Sequence, residues 1–167
     1  HVSNDISVGL KLSNTRAEKL KLKHGAALPD PNAHGRTFSF TSDVGLDNYT
    51  VSISHLHQVM HARLEELLML IRDDLTREGL LAHLRAGVVL TGGGARVPAL
   101  ERLATQVFQA SVQTTRAKVG SGPISILDEP ECSTALGLVK LGAQQRATPK
   151  QSRTGIFNWL AGKLVGA

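Results

Sequence analysis

Cysteine is all but missing. The 167 residues hold one, Cys132, so no disulfide can close within the chain, and a reducing compartment fits. Aromatic residues make up only 4%, too few to build a base-stacking surface for nucleic acid. No apolar run is long enough to span a bilayer. The opening His-Val-Ser-Asn-Asp-Ile lacks the basic start, apolar stretch and cleavage site of a signal peptide. It also lacks an initiator methionine and begins in mid-pattern, so the expectation is a fragment of something longer. Acidic residues stop at Glu131. Up to that point 14 Lys and Arg balance 14 Asp and Glu, and Lys140, Arg146, Lys150, Arg153 and Lys163 then supply the whole excess of +5. A basic tail on a neutral body argues against a nucleic-acid partner and for an anionic membrane surface or a disordered arm. The 41% of hydrophobic residues suffices for one or two small units with a core.

What is abundant is glycine, in one place. Gly87-Val-Val-Leu-Thr-Gly-Gly-Gly-Ala95 reads as a short buried strand running straight into three glycines. Pro98 suits a first helical turn, and Leu100, Leu103, Ala104, Val107 and Phe108 follow at helical spacing. Strand, glycine turn and helix form half of an α/β unit. Adjacent glycines leave backbone N–H groups open and let another molecule come close, most commonly a nucleotide. A tight turn without a ligand has the same pattern. No Lys-Ser or Lys-Thr follows, so this is not a P-loop, and Val97 replaces the third glycine of a dinucleotide fingerprint.

Upstream, Asp5 to Leu12 reads as a short helix. Ser13-Asn14-Thr15 opens a second one through Ala17, Leu20 and Leu22 that Gly25 closes. Thr15 and Glu18 have the spacing of a capping box, which leaves Glu18 with either a capping or a ligand role. Lys19, Lys21 and Lys23 read as a solvated face or a phosphate site. After a loop from Ala26 to Arg36, Thr37–Thr41 and Tyr49–Ile53 alternate like paired strands, with a turn around Asp43-Val-Gly45. Ser54 is then placed to cap the longest helix, whose apolar stripe is Leu56, Val59, Met60, Leu64, Leu67, Leu68, Ile71 and Leu75. His57 and His61 stand at i and i+4 on it, beside His55, yet no further ligand cluster accompanies them and no metal is expected. No residue has the pattern of a catalytic group.

Val112–Thr114 reads as a further strand. Glu129 to Gly142 reads as a helix beginning at Pro130, with Gly137 in its middle implying a closely packed neighbour. Cys132 reads as buried rather than reactive. Ala143–Gly155 is a polar, basic linker. Beyond it, Ile156, Phe157, Leu160 and Leu164 fall on one side of a helix, with Trp159 at the edge and Lys163 close enough to snorkel. That is a short amphipathic helix on a basic tether, suited to a bilayer interface or to docking back on the core.

These residues together resemble FtsA, the actin-like bacterial division family that ties FtsZ filaments to the membrane. The resemblance rests on Asp5-Ile6, Ala17-Glu18-x-x-Lys21, Ala62-Arg-Leu-Glu-Glu-Leu-Leu68, the Thr91–Ala95 glycine stretch and Pro130-x-x-Ser-Thr-Ala-x-Gly137-Leu. It implies an α/β fold, the C-terminal portion of an actin-like (ribonuclease-H-like) fold. The nucleotide-binding domain would be incomplete and accompanied by a small α+β subdomain. The implied divisions are 1–25, the start of the second actin-like domain; 26–86, the small subdomain with the long helix; 87–143, the adenosine-motif portion; 144–155, the linker; and 156–167, the membrane-targeting helix.

By the same resemblance Gly92, Gly93, Gly94 and Ala95 pass under the adenine and ribose of ATP, with Glu18 and Lys21 facing them. Arg63 receives the FtsZ C-terminal tail. Ile156, Phe157, Trp159, Leu160, Lys163 and Leu164 form the anchor at the cytoplasmic face of the membrane, at the division site. Ser3 stands where the family usually has threonine. The phosphate-binding turns and the groups that hold magnesium fall outside the pattern, so ATP and Mg belong to the full-length protein, at most a weak ATPase. The chain alone is expected to be inactive. The expected function is that of an adaptor that self-assembles into filaments with nucleotide. The alternative is another actin-like ATPase: a pilus-assembly protein, a sugar kinase or a chaperone.

Overall fold

The computed structural model describes residues 1–41, 48–115 and 129–147. The expected turn at Asp43–Gly45, the linker from 148 onward and the whole of the expected amphipathic helix lie outside the described residues. Among the described residues no helix is long and apolar enough to cross a membrane.

Chain contacts separate a first unit, His1–Ser133, from a second, Thr134–Ala167. The first unit opens with helices α1 (Val2–Gly9) and α2 (Asn14–His24). Ser13 caps α2 by accepting from the Arg16 N–H at 3.4 Å, and Gly25 ends it. The expected Thr15–Glu18 capping box does not form, because the cap of α2 is Ser13, two residues earlier, and Glu18 is drawn to other partners described below. The hairpin β1 (Thr37–Thr41) and β2 (Asn48–Ser52) pairs antiparallel, with Phe38 opposite Val51 and Phe40 opposite Tyr49. Its alternation puts Phe38 and Phe40 on one face, where their rings meet edge to face at 4.9 Å. Helix α3 (Ile53–Arg77) follows without a break. Ser52, not Ser54, is its cap, accepting from the His55 N–H at 3.4 Å.

Leu56, Met60, Leu64 and Leu68 of α3 are buried at helical spacing against Ile6, Leu20 and Leu103, which are almost fully sequestered. Strand β3 (Val88–Leu90), helix α4 (Leu100–Phe108) and strand β4 (Val112–Thr114) form a βαβ unit, with β3 and β4 parallel and Val88 opposite Val112. Helix α4 buries Leu100, Leu103, Ala104, Val107 and Phe108, all on one face. Pro98 falls just before this helix rather than within it, and Ala99 caps it in the left-handed conformation at φ 64°. Strand β3 is not the buried strand its apolar run implies: Val89 is 52% exposed. Periodicity marks a strand as apolar without saying which of its faces is covered.

Pro130 begins a 3-10 turn, Pro130–Cys132, rather than a helix, and α5 (Ser133–Ala147) starts after it. Cys132 is half-buried. Helix α5 carries Leu138, Val139 and Leu141 exposed and runs through Ala147, into the stretch read as linker. A Cβ placed on Gly137 meets nothing within 4 Å, so the close neighbour expected there is absent among the described residues.

Candidate functional site

The glycine turn is held from behind. Gly92 adopts φ 84°, a conformation nearly restricted to glycine, and its N–H donates to the Pro130 carbonyl at 2.9 Å. Thr91 Oγ1 lies 3.2 Å from that same carbonyl and 2.6 Å from Ser133 Oγ. Arg96, at the end of the turn, pairs with Glu131 and reaches Glu129 at 3.8 Å. The Glu131 carboxyl is held below its usual range by its own backbone N–H and then by Arg96. Residues 129–133 therefore serve as a bracket for the turn.

In front of the turn lies a cleft of about 940 Å³. Gly93, Gly94 and Ala95 line it, a Cβ on either glycine would meet nothing within 4 Å, and Arg96 stands at its edge. From α2 come Glu18 and Lys21, and from α3 the apolar side chains of Met60, Leu64, Leu67 and Ile71. Leu67 and Ile71, 49% and 43% exposed, are the members of the α3 stripe that face open space rather than core. A mostly apolar wall with a few converging polar groups is the usual build of a small-molecule site. The glycines thus stand opposite Glu18 and Lys21, residues more than 70 positions away in sequence.

Glu18 and Lys21 are joined at 2.7 Å, and both are bonded to the Ser3 hydroxyl on α1. Lys21 first, then Ser3, hold the Glu18 carboxyl below its usual value of 4.5. A smaller hollow of about 510 Å³ between α2 and β1 has Lys19, Lys23, Phe38 and Phe40 in its lining but no carboxylate and none of the glycines.

Arg63 is not in the cleft. Its guanidinium grips both oxygens of Asp5 on α1 and donates to Glu66 at 2.9 Å. Two histidines of α3, His57 and His61, are structural. His57 accepts from the Asp30 N–H at 3.4 Å and donates to the His24 carbonyl at 2.9 Å; His61 donates to the Ala27 carbonyl at 2.9 Å. They pin the loop after α2 to the long helix, and no metal-binding cluster exists among the described residues. Arg96 and Glu131 are the site residues that pattern reading missed. Each acts through a partner distant in sequence, and nothing local marks it.

The family model for cell division protein FtsA matches residues 1–137. The chain belongs to the FtsA family. It is 31% identical over 166 residues to FtsA of Rhizobium meliloti (strain 1021), covering 97% of this chain and 37% of that protein. With FtsA of Escherichia coli (strain K12) it shares 30% over 150 residues, 86% of this chain and 36% of that one. The chain thus spans a little over a third of the length of these FtsA relatives. Among solved structures it resembles MreB5 of Spiroplasma citri bound to ADP, at a TM-score of 0.65 and 16% identity, over 90% of this chain and 46% of that one. The fold is accordingly part of an actin-like fold. Membership in the FtsA family separates the chain from the pilus-assembly, sugar-kinase and chaperone alternatives.

Proposed function

We propose that the chain is the C-terminal part of an FtsA-type adaptor that holds an adenine nucleotide in the cleft between α2 and the glycine turn. One observation carries this reading: Glu18 and Lys21 stand across a single cleft from Gly93, Gly94 and Ala95. The groups present fit a nucleoside. Gly93 and Gly94 leave room for a ring to lie against the backbone, α3 supplies an apolar wall, and Glu18 and Lys21 offer an acceptor and a donor for hydroxyls. MreB5, with a similar fold, was crystallised with ADP and with AMPPNP. The phosphate end of ATP, and magnesium with it, would be held by the rest of the full-length protein, since no described cluster here suits a cation.

In the same reading the nucleotide governs self-assembly into filaments, and Arg63 with its face of α3 receives the C-terminal tail of FtsZ. The basic stretch and the segment from Ile156 to Leu164 hold the protein at the cytoplasmic face of the membrane at the division site. One short amphipathic helix binds weakly, so several copies in a filament are needed for firm attachment.

Two measurements test this. Titration of the chain with ADP should show binding that Glu18→Ala abolishes; equal affinity in both proteins would remove the nucleotide from this cleft. Co-sedimentation with anionic vesicles should fall away for a chain ending at Ser152 and weaken with salt. If both lengths stay in solution even when assembled into filaments, the membrane role fails.

A further inference from the structure

We infer that the outer edge of β1 is a docking site for an acidic, extended segment of a protein partner, which joins the hairpin as a third strand. The site is separate from the nucleotide cleft and from the Arg63 face of α3. Among the described residues the sheet has two strands, and β1 pairs only with β2. The Ile53 N–H donates to the Arg36 carbonyl at 3.0 Å. Bonded pairs alternate along an antiparallel ladder, so the main chain of Phe38 and Phe40 turns to β2. That of Thr37 and Ser39 turns to the open edge, where no backbone partner meets it among the described residues. Exposed edges are usually blunted by a charge, a proline or a bulge on the strand. The run Thr37-Phe-Ser-Phe-Thr41 has none of these.

Beside β1 lies the hollow of about 510 Å³, with Phe38, Ser39 and Phe40 on one side and Lys19 and Lys23 of α2 on the other. Ser39 turns its hydroxyl to Thr50, 3.2 Å away on the opposite face of the hairpin, and so presents main chain to the hollow. The Phe38 and Phe40 rings make an apolar floor. Lys23 Nζ stands 5.2 Å from the centre of the Phe38 ring. Helix α2 carries Arg16, Lys19, Lys21 and Lys23 against one carboxylate, Glu18, and that carboxylate is held by Lys21 at the nucleotide cleft. No carboxylate lines the hollow, so Lys19 and Lys23 give it an uncompensated positive wall.

The two lysines are one helical turn apart, about 6 Å, and alternate side chains of a strand are about 7 Å apart. Glutamates at every second position of an added strand match that spacing. Their stems lie on the rings and their carboxylates meet the ammonium groups. The main-chain bonds to Thr37 and Ser39 supply affinity, and the lysines select for acid. A second copy of this chain fits poorly, because β1 laid against β1 brings positive walls together.

The test is a titration of the isotope-labelled chain with the end-capped peptide Thr-Glu-Thr-Glu-Thr, followed by NMR. The amides of Thr37 and Ser39 should shift and exchange more slowly with water, and those of Phe38 and Phe40 much less. Ser39→Pro removes an N–H that β2 does not use, and should weaken binding roughly tenfold with little change in melting temperature. Lys19→Glu combined with Lys23→Glu should abolish binding of this peptide and admit its lysine counterpart. N-methylation of one alternate set of peptide amides should abolish binding, and methylation of the other set should not. That arm leaves the protein unchanged, so it decides the matter even where Ser39→Pro fails to fold. No shift at millimolar peptide overturns the proposal, and so does binding that both methylated peptides keep, which is charge alone. Self-association that Ser39→Pro abolishes, read by sedimentation, would give the edge to a second copy. Anionic vesicles that bind through Lys19 and Lys23 while the peptide does not would give it to a bilayer. Either of these results also overturns the proposal.

Discussion

Arg63 on α3 grips both carboxylate oxygens of Asp5 on α1, 58 residues earlier in the chain. This forked pair ties the first helix to the longest, and a planar guanidinium suits it as an ammonium does not. Arg63 holds the Asp5 carboxyl below its usual 3.8, mainly through the hydrogen bonds. A carboxyl depressed in the folded state contributes stability above its unfolded value, and that contribution is lost as pH falls through the folded one. Arg63→Ala and Asp5→Asn should each lower the melting temperature at pH 7, and the double variant should lose less than the two singles combined. The difference between wild type and Asp5→Asn should shrink below about pH 3.8. Additive losses would mean that the pair is not coupled.

His24 predicts acid sensitivity of the same sign, set nearer neutrality. Its ring packs on Phe38 at 4.9 Å, and its Nε2 is buried without a hydrogen-bond partner among the described residues. Burial first, then Lys23, Arg36 and His57, push its pKa below 6.5. In the window just under 6.5 the unfolded chain binds a proton that the folded chain resists, so stability rises with pH there. Stability is complete above that window and falls as pH drops through it. A His24→Phe variant should show a flatter melting temperature between pH 7 and pH 5. An unchanged slope would place the titration elsewhere.

The cap of α3 tests how far local signals reach. Serines at 52 and 54 both precede the apolar stripe, and only the backbone shows which one accepts from an N–H of the first turn. Ser52→Ala should cost up to about 1 kcal/mol by urea denaturation. Ser54→Ala should stay within about 0.5 kcal/mol. The reverse order would return the helix start to Ser54.

Local pattern carried most of the elements. The α3 stripe, the hairpin and the strand–glycine–helix order were all readable because each repeats at the period of its own structure. Pairing across distance was not readable. Glu18 has capping-box spacing, and its tertiary bonds to Ser3 and Lys21 outweigh that option. His57 and His61 have metal-ligand spacing, and loop carbonyls claim them instead. Pro130 looks like the start of a helix, yet its carbonyl faces Thr91 and Gly92, 39 and 38 residues back. In each case the partner lies on another element, and one chain read in order does not say which elements meet.

Two glycines near β3 separate fold from function. Gly87 sits at φ 88°, and a Cβ there would stand 2.5 Å from the Ser111 carbonyl oxygen, at the close approach that sets β3 beside β4. Gly87→Ala should cost about 1–3 kcal/mol through backbone strain alone, with the clash added. Gly93 has no positive φ, and a Cβ there meets open space. Gly93→Ala should therefore leave stability within about 0.5 kcal/mol, while putting a methyl group where a nucleotide would lie. The contrast is measured by urea denaturation and ADP titration on the same two proteins. Gly93→Ala that is stable and binds ADP weakly marks the turn as a ligand surface. If it is stable and binds ADP as well as wild type does, the ligand does not come close at this glycine, and the three-glycine turn is only a connection between strand and helix.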